Sequence, residues 1–338
     1  MRNRLSLLAG ACVLAAAPLS AASAQGLSSP ACAGGGAGSV ALMAQDVCQQ
    51  AYDVYQLIAP QLGLALTGGN ATAGQGSVLG GLGHFSVGAR VNGFAGLIPN
   101  TDNGYPVSTN GAQQRTLATQ NSFFGLPTAD GAIGLYNGFP LGLTNVLGVD
   151  ALVSAEYVPT LNQTHFSLTP SSSLKFGYGV RVGLLSESIA FPGVSFTWIE
   201  RDLPLIDITT SSNTNGAATT LAINDMKVET HAWRLVASKS LMAFSVAAGI
   251  GRDGYNQSAT IEGTVSQGAA TGSQTVPLAQ TLDRTNMFGD LSFNLPVLKI
   301  VLEVGDATGG TVRTYNSFSG GTAGRSQLYG SFGLRLSR

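Results

Sequence analysis

Charge is scarce in this chain. Of its 338 residues only 10% are Asp, Glu, Lys or Arg, against roughly a quarter in soluble domains. Acid and base nearly cancel, leaving a net charge of −1, which excludes the basic footprint that a nucleic-acid-binding surface needs. Beyond the amino terminus, Gly, Asn, Ser or a charge interrupts every apolar window before it reaches the about 18 residues that a membrane helix requires. Cysteine and histidine number three each and are scattered, so no metal-ligand cluster is in view. Catalytic signatures are missing too. The runs Gly68-Gly69 and Gly80-Gly81-Leu82-Gly83 are not followed by Gly-Lys-Ser/Thr, and no Gly-x-Ser-x-Gly elbow follows a strand. The chain reads as a non-enzyme without a cofactor. A hydrolase would have to recruit His84, His165 or His231, and only His231, placed inward beside Lys227 and Glu229, has polar company.

What is present is glycine, 45 residues, and an apolar fraction of 44%. A soluble protein so poor in charge would not stay dispersed, whereas a protein whose outer face lies in lipid needs no charge there. The first residues read as an export signal. Met1-Arg2-Asn3-Arg4 is basic, Leu5 to Leu19 is apolar, and Ala22-Ser23-Ala24 is a small-x-small cleavage site before Gln25. Lipidation at Cys12 would want a large apolar residue three places earlier, where Ala9 stands. Residues 1–24 are therefore assigned as signal peptide. Cys32 and Cys48 remain in the exported chain, and an oxidising periplasm favours a disulfide between them.

From His84 onward the pattern has period two. In Arg325 to Arg338, Leu328, Phe332, Leu334 and Leu336 share one parity, with Gln327, Tyr329, Ser331, Arg335 and Ser337 on the other. Nine more segments alternate similarly: His84 to Ala95, Gly131 to Gly138, Leu147 to Val158, Leu174 to Ser186, Val194 to Leu203, Asp225 to Ser238, Leu241 to Gly254, Thr281 to Asn294 and Val297 to Asp306. Most match the about 9–11 residues of a tilted membrane-crossing strand. Long connections (Gly96 to Asp130, Pro159 to Ser173, Pro204 to Asn224, Val265 to Gln280, Ala307 to Gly324) alternate with short ones such as Lys239-Ser240 and Leu295-Pro296, the asymmetry of an outer-membrane barrel. The expected fold is all-β: an antiparallel transmembrane up-and-down β-barrel over residues 83–338, with about ten strands and a range of 8–14.

Ten charged residues stand opposite the apolar parity of their strands: Arg90, Asp150, Glu156, Lys175, Arg181, Arg284, Asp290, Lys299, Glu303 and Arg335. They are the candidate lumen-facing set, either a pore lining or ion pairs that fill a narrow barrel. Two places break the pattern. Glu200 and Arg201 are adjacent, and Trp233 and Arg234 invert their strand's parity, which asks for a β-bulge near Ala232 or a position at the membrane interface. Trp198, Tyr178, Tyr255 and Trp233 are candidates for aromatic girdles. Residues 25–82 differ from the rest and read as a periplasmic segment or plug. Val40 to Ala59 has helical spacing, limited by Pro60, and a Gly-rich stretch follows.

The chain as a whole resembles Gram-negative outer-membrane β-barrels. Its final strand is similar to their carboxy-terminal assembly signal, with Tyr329-Gly330 followed by Phe332, Leu334 and Leu336, although it ends Ser337-Arg338 rather than on an aromatic. The resemblance implies outer-membrane lipid and the outer-membrane assembly machinery as partners. Gly68-Gly69-Asn70-Ala71 is similar to the turn before the first strand of FadL-like and PorV-like barrels, which would imply fourteen strands and passage of hydrophobic compounds, or a docking role in secretion. The sequence reading favours a passive channel or transporter for small or hydrophobic solutes. The alternative is a closed structural or interaction barrel acting through its extracellular loops.

Overall fold

The computed structural model describes residues 30–34, 38–100, 105–163, 166–214 and 216–337; the expected signal peptide and His165 lie outside them. Ten long strands form the wall: β1 (Phe85–Pro99), β2 (Thr119–Tyr136), β3 (Gly148–Tyr157), β4 (Leu174–Leu185), β5 (Gly193–Asp202), β6 (Ala217–Leu241), β7 (Phe244–Gln267), β8 (Ala270–Asn294), β9 (Leu298–Ala307) and β10 (Gln327–Ser337). Each pairs antiparallel with its neighbour. β10 closes the ring on β1, from Ser86 opposite Ser337 to Phe94 opposite Tyr329. Closure leaves no unpaired backbone edge in lipid, the condition for strands to cross a membrane. The ring has ten strands, not the fourteen that the FadL-like resemblance implies.

One parity of each strand points out. Val87, Val246, Leu291, Leu302, Phe332 and Leu334 are all exposed and form an apolar belt. Paired aromatics sit within the belt and at its short-turn rim. Tyr178 meets Trp198 with ring centroids 6.4 Å apart, and Phe196 stacks on Trp233 at 6.1 Å. At the short-turn end Phe244 meets Phe293 at 5.2 Å and Tyr136 meets Phe139 at 5.5 Å. Tyr255, expected in a girdle, is instead fully buried and points inward. The parity problem at Trp233 resolves at a bulge between Asn224 and Lys227, with Asp225 at φ 51°. The extra residue shifts every later side chain to the opposite face, so Arg234 points in and Trp233 out. The bulge lies upstream of Ala232, where the sequence reading sought it. The same shift sends His231 outward, against the expectation that it faces the lumen.

β6, β7 and β8 contain 25, 24 and 25 residues, far more than a bilayer needs. Their outer halves project past the long-connection rim as a sheet extended by Ile206–Thr214, Phe166–Pro170 and Leu161–Gln163. Three expected loops are therefore partly strand. Val265 to Gln280 is a hairpin turning at Gly268, Pro204 to Asn224 holds a strand and the start of β6, and Gly96 to Asp130 contains most of β2. These stretches are rich in Ser, Thr, Gln and Asn. Outside the membrane neither face must be greasy, so the alternation that marks a lipid-facing strand is absent.

Helix α1 (Ser39–Thr67) runs 29 residues straight through Pro60, past the expected stop. Residues 57 to 67 lie inside the barrel, where packing overrides the proline. Gln257 donates to the Ala59 carbonyl, and Gln61 Nε2 bridges the carbonyls of Leu57 at 2.8 Å and Leu97 at 2.9 Å. A cation placed on the lipid face tests the orientation of the wall. Leu302→Arg, at mid-height of β9, should lower the unfolding free energy in lipid vesicles by roughly 2–4 kcal/mol, measured by denaturant titration.

Candidate functional site: an ion-paired lumen around a threaded segment

The helix enters the lumen from the long-connection end. Its first half lies on the projecting sheet so closely that a Cβ on Gly263 would strike the Cys48 backbone. Its last residues sit level with Tyr255, whose hydroxyl lies 3.1 Å from Thr67 Oγ1. From Gly68 the chain descends without regular structure. Its contacts mark the path: Asn70 N to Glu303 Oε2 at 2.7 Å, Gly76 N to Ser238 Oγ at 2.8 Å, and Leu79 N to Asp150 at 3.2 Å. It reaches the short-turn end at His84 and becomes β1. Gly69, at φ +78°, lies against Asn92 and Arg90, where any side chain would collide.

The wall charges hold this thread. Three arginines converge on the helix carboxyl end. Arg201 Nη1 donates to the Leu66 carbonyl at 3.3 Å, Arg234 Nη2 to Thr67 at 3.0 Å, and Arg90 Nη1 to Gly68 at 2.8 Å. A helix end presents unpaired carbonyls and a negative dipole pole, so cations there are doubly favoured. Each arginine is paired in turn. Arg90 bonds Asp130 at 2.5 Å, Arg201 bonds Asp130 at 3.3 Å and Glu156 at 3.2 Å, and Arg234 bonds Asp253. Asp253 is steadied by Asn286, which takes the Tyr329 hydroxyl at 2.8 Å. Lower down, Arg181 pairs with Asp150 at 2.6 Å, and Arg335 donates to the carbonyls of Thr72 and Ala73 at 2.5 and 2.9 Å.

Of the ten sequence candidates, Arg90, Asp150, Glu156, Arg181, Arg284, Asp290, Glu303 and Arg335 are buried inside, while Lys175 and Lys299 are half-buried. Arg284 reaches the carbonyls of Arg325 and Thr308 at the outer rim, at 3.0 and 3.4 Å. Asp290 and Glu303 face each other across β8 and β9. The reading from parity left out Asp130, assigned to a loop, and Asp253, unremarked in its strand. Arg201 and Arg234 were visible only as pattern breaks. Beside the thread, between Thr72, Gln75, Arg90, Asp130 and Arg181, lies a cavity of about 20 Å³, room for about one water.

Above the rim the helix is gripped by two loops. Asp46 takes Ser108 N at 2.8 Å, Gln113 N at 3.1 Å and Arg115 Nη2 at 2.9 Å. Asp53, two turns on, takes Tyr315 N at 2.9 Å, Asn316 N at 2.9 Å and Asn316 Nδ2 at 2.7 Å. The loops also pair with each other through Thr116–Leu117 and Ser317–Phe318. Cys32 and Cys48 form a disulfide that ties the segment before the helix to this outer end. Burial pushes Asp53 up to about 6, although its backbone and side-chain donors favour the carboxylate. These aspartates escape a reading from sequence, because a polar stripe on a helix reads as its solvated face.

Arg201→Ala should leave Asp130 and Glu156 short of a partner and uncap the helix. The expected loss is about 3–5 kcal/mol, with faster amide exchange over residues 64–70, read by denaturant titration and hydrogen exchange. The pKa of Asp53 when docked exceeds its ordinary value of 3.8. The docked form therefore binds the extra proton, and the loop contact tightens as pH falls through 6 and loosens as it rises. Exchange of the Tyr315 and Asn316 amides between pH 4 and 8 should show this dependence, and Asp53→Asn should abolish it.

No family model and no curated protein matches the chain. Among solved structures it is similar to the transport unit of the Escherichia coli autotransporter AIDA-I, at 9% identity and a TM-score of 0.30, covering 86% of this chain and 99% of that one. The beta domain of the Bordetella autotransporter BrkA aligns at 9% identity and a TM-score of 0.27, covering 75% and 98%. The Ralstonia pickettii toluene transporter TbuX aligns at 12% identity and 0.19, covering 79% and 91%. Overlaps this loose carry no argument about mechanism. The closed ring, the apolar belt and the charged interior give this chain the fold of an antiparallel transmembrane β-barrel.

Proposed function

We propose that the protein is a closed barrel that acts through its long-connection face, not an open channel. The supporting observation is the occupied lumen: three wall arginines cap the helix that enters it, and the thread below takes up Asp150, Glu303 and Arg335. Passive solute flow would require the thread to leave, stripping buried charges of their partners. On this reading residues 1–24 are removed on export, and the assembly machinery engages the last strand through Tyr329, Gly330, Phe332, Leu334 and Leu336. The projecting sheet of β6 to β8, the two paired loops and the helix amino end form one platform above the membrane.

In a planar bilayer the refolded chain should give no conductance steps. Replacing Arg90, Arg201 and Arg234 together by Ala should free the thread and produce intermittent steps. Steady openings of one size from the unaltered protein would overturn the closed reading and restore a channel.

A further inference from the structure

The helix and thread fix more than a blocked lumen. Long connections mark the outer face of such barrels and short turns the periplasmic one. His84 and Ser86 lie at the short-turn end, beside Ser337. The thread climbs from there past Asp150, Ser238 and Glu303 to the arginine cap. The helix continues outward. Cys48 lies over Gly263, and Val40 lies over Gly272, near the tip of the β7–β8 hairpin. Ala31 N bonds Gln49 Oε1 at 2.6 Å, so residues 30–34 sit at the height of Gln49, above the rim.

We infer that residues 30–34 and the amino end of α1 are displayed on the outer surface of the cell, with residues 68–84 as the passage of the chain through the barrel. This inference rests on the outer-membrane reading. It reverses the direction that a periplasmic amino-terminal segment would have. The platform then consists of the chain's own amino-terminal part, pinned by the Cys32–Cys48 disulfide and held by Asp46 and Asp53 under two loops. A partner approaching from outside meets the β7–β8 tip, the amino end of α1 and this segment together. Ala31, Ala33, Gly34, Gly38 and Ser39 are exposed and uncharged, so recognition there would rely on backbone and small side chains.

An epitope inserted into the full-length chain at three places tests the inference by antibody labelling of intact cells. The sites are after Gly34, after Gly268 in the β7–β8 turn, and after Met242 in the β6–β7 turn. Labelling after Gly34 and Gly268 on intact cells, with Met242 labelled only once the envelope is opened, is the expected result. If Gly268 labels on intact cells and Gly34 only in opened ones, the inference fails while the barrel reading stands. If Gly268 itself labels only in opened cells, the orientation and the inference fall together. Should the Gly34 insertion fail to assemble, Ser39→Cys with a membrane-impermeant maleimide reads the same position. Labelling of intact cells supports the inference, and labelling only after opening overturns it.

Discussion

Most of this architecture depends on one electrostatic requirement: the backbone groups of a chain segment held inside a narrow barrel must find partners without bulk water. A helix end brings several unpaired carbonyls into the lumen. Arg90, Arg201 and Arg234 meet them, and each arginine is itself neutralised by a wall carboxylate. Remove the helix, and a ring of buried cations and anions is left facing a void. Remove the arginines, and the helix end is uncapped in a dry interior. The two halves of the contact stabilise each other, which is why a barrel with so few charges places them where it does.

The outer end obeys the same logic with different donors. Asp46 and Asp53 are buried carboxylates: Gln50 and Gln49 on the helix donate to them, and backbone amides of the two loops, Arg115 and the Asn316 side chain supply their other hydrogen bonds. Loops built from Ser, Thr, Asn and Gly have little apolar surface to hold them down. Anchoring them to two buried acceptors on the helix replaces the core they lack. The platform is therefore organised from within by the helix, not by the loops themselves.

The barrel was legible because lipid imposes its chemistry on sequence. Every membrane-crossing strand must show one greasy parity, so ten of them could be counted and their inward charges named. Legibility stopped where the lipid stops. The outer halves of β6, β7 and β8 have no greasy face and read as loops. α1 was foreshortened at Pro60 because local propensity ends a helix that lumen packing continues. His231 was assigned inward because one bulged residue at Asp225 inverts parity, and a single sequence does not show where an extra residue enters. Asp130 and Asp253 went unnamed for a related reason: their importance comes from which arginine stands across the lumen, a relation between distant strands.

The thread leads directly into β1, and β1 is one side of the seam where the ring closes on β10, from Ser86 opposite Ser337 to Phe94 opposite Tyr329. Mechanically, the amino-terminal segment is a handle fixed to that seam. Tension applied from outside loads the Asp46 and Asp53 contacts first and the arginine contacts next, since both lie along the line of pull. Once these yield, the force passes down through Gly76 and Leu79 to the first residue of β1 at the far rim. There it peels the seam one hydrogen-bonded pair at a time instead of shearing the whole ladder at once. The arginine cap thus also works as a strain relief, shielding the seam of the wall from whatever pulls on the outer end of the chain.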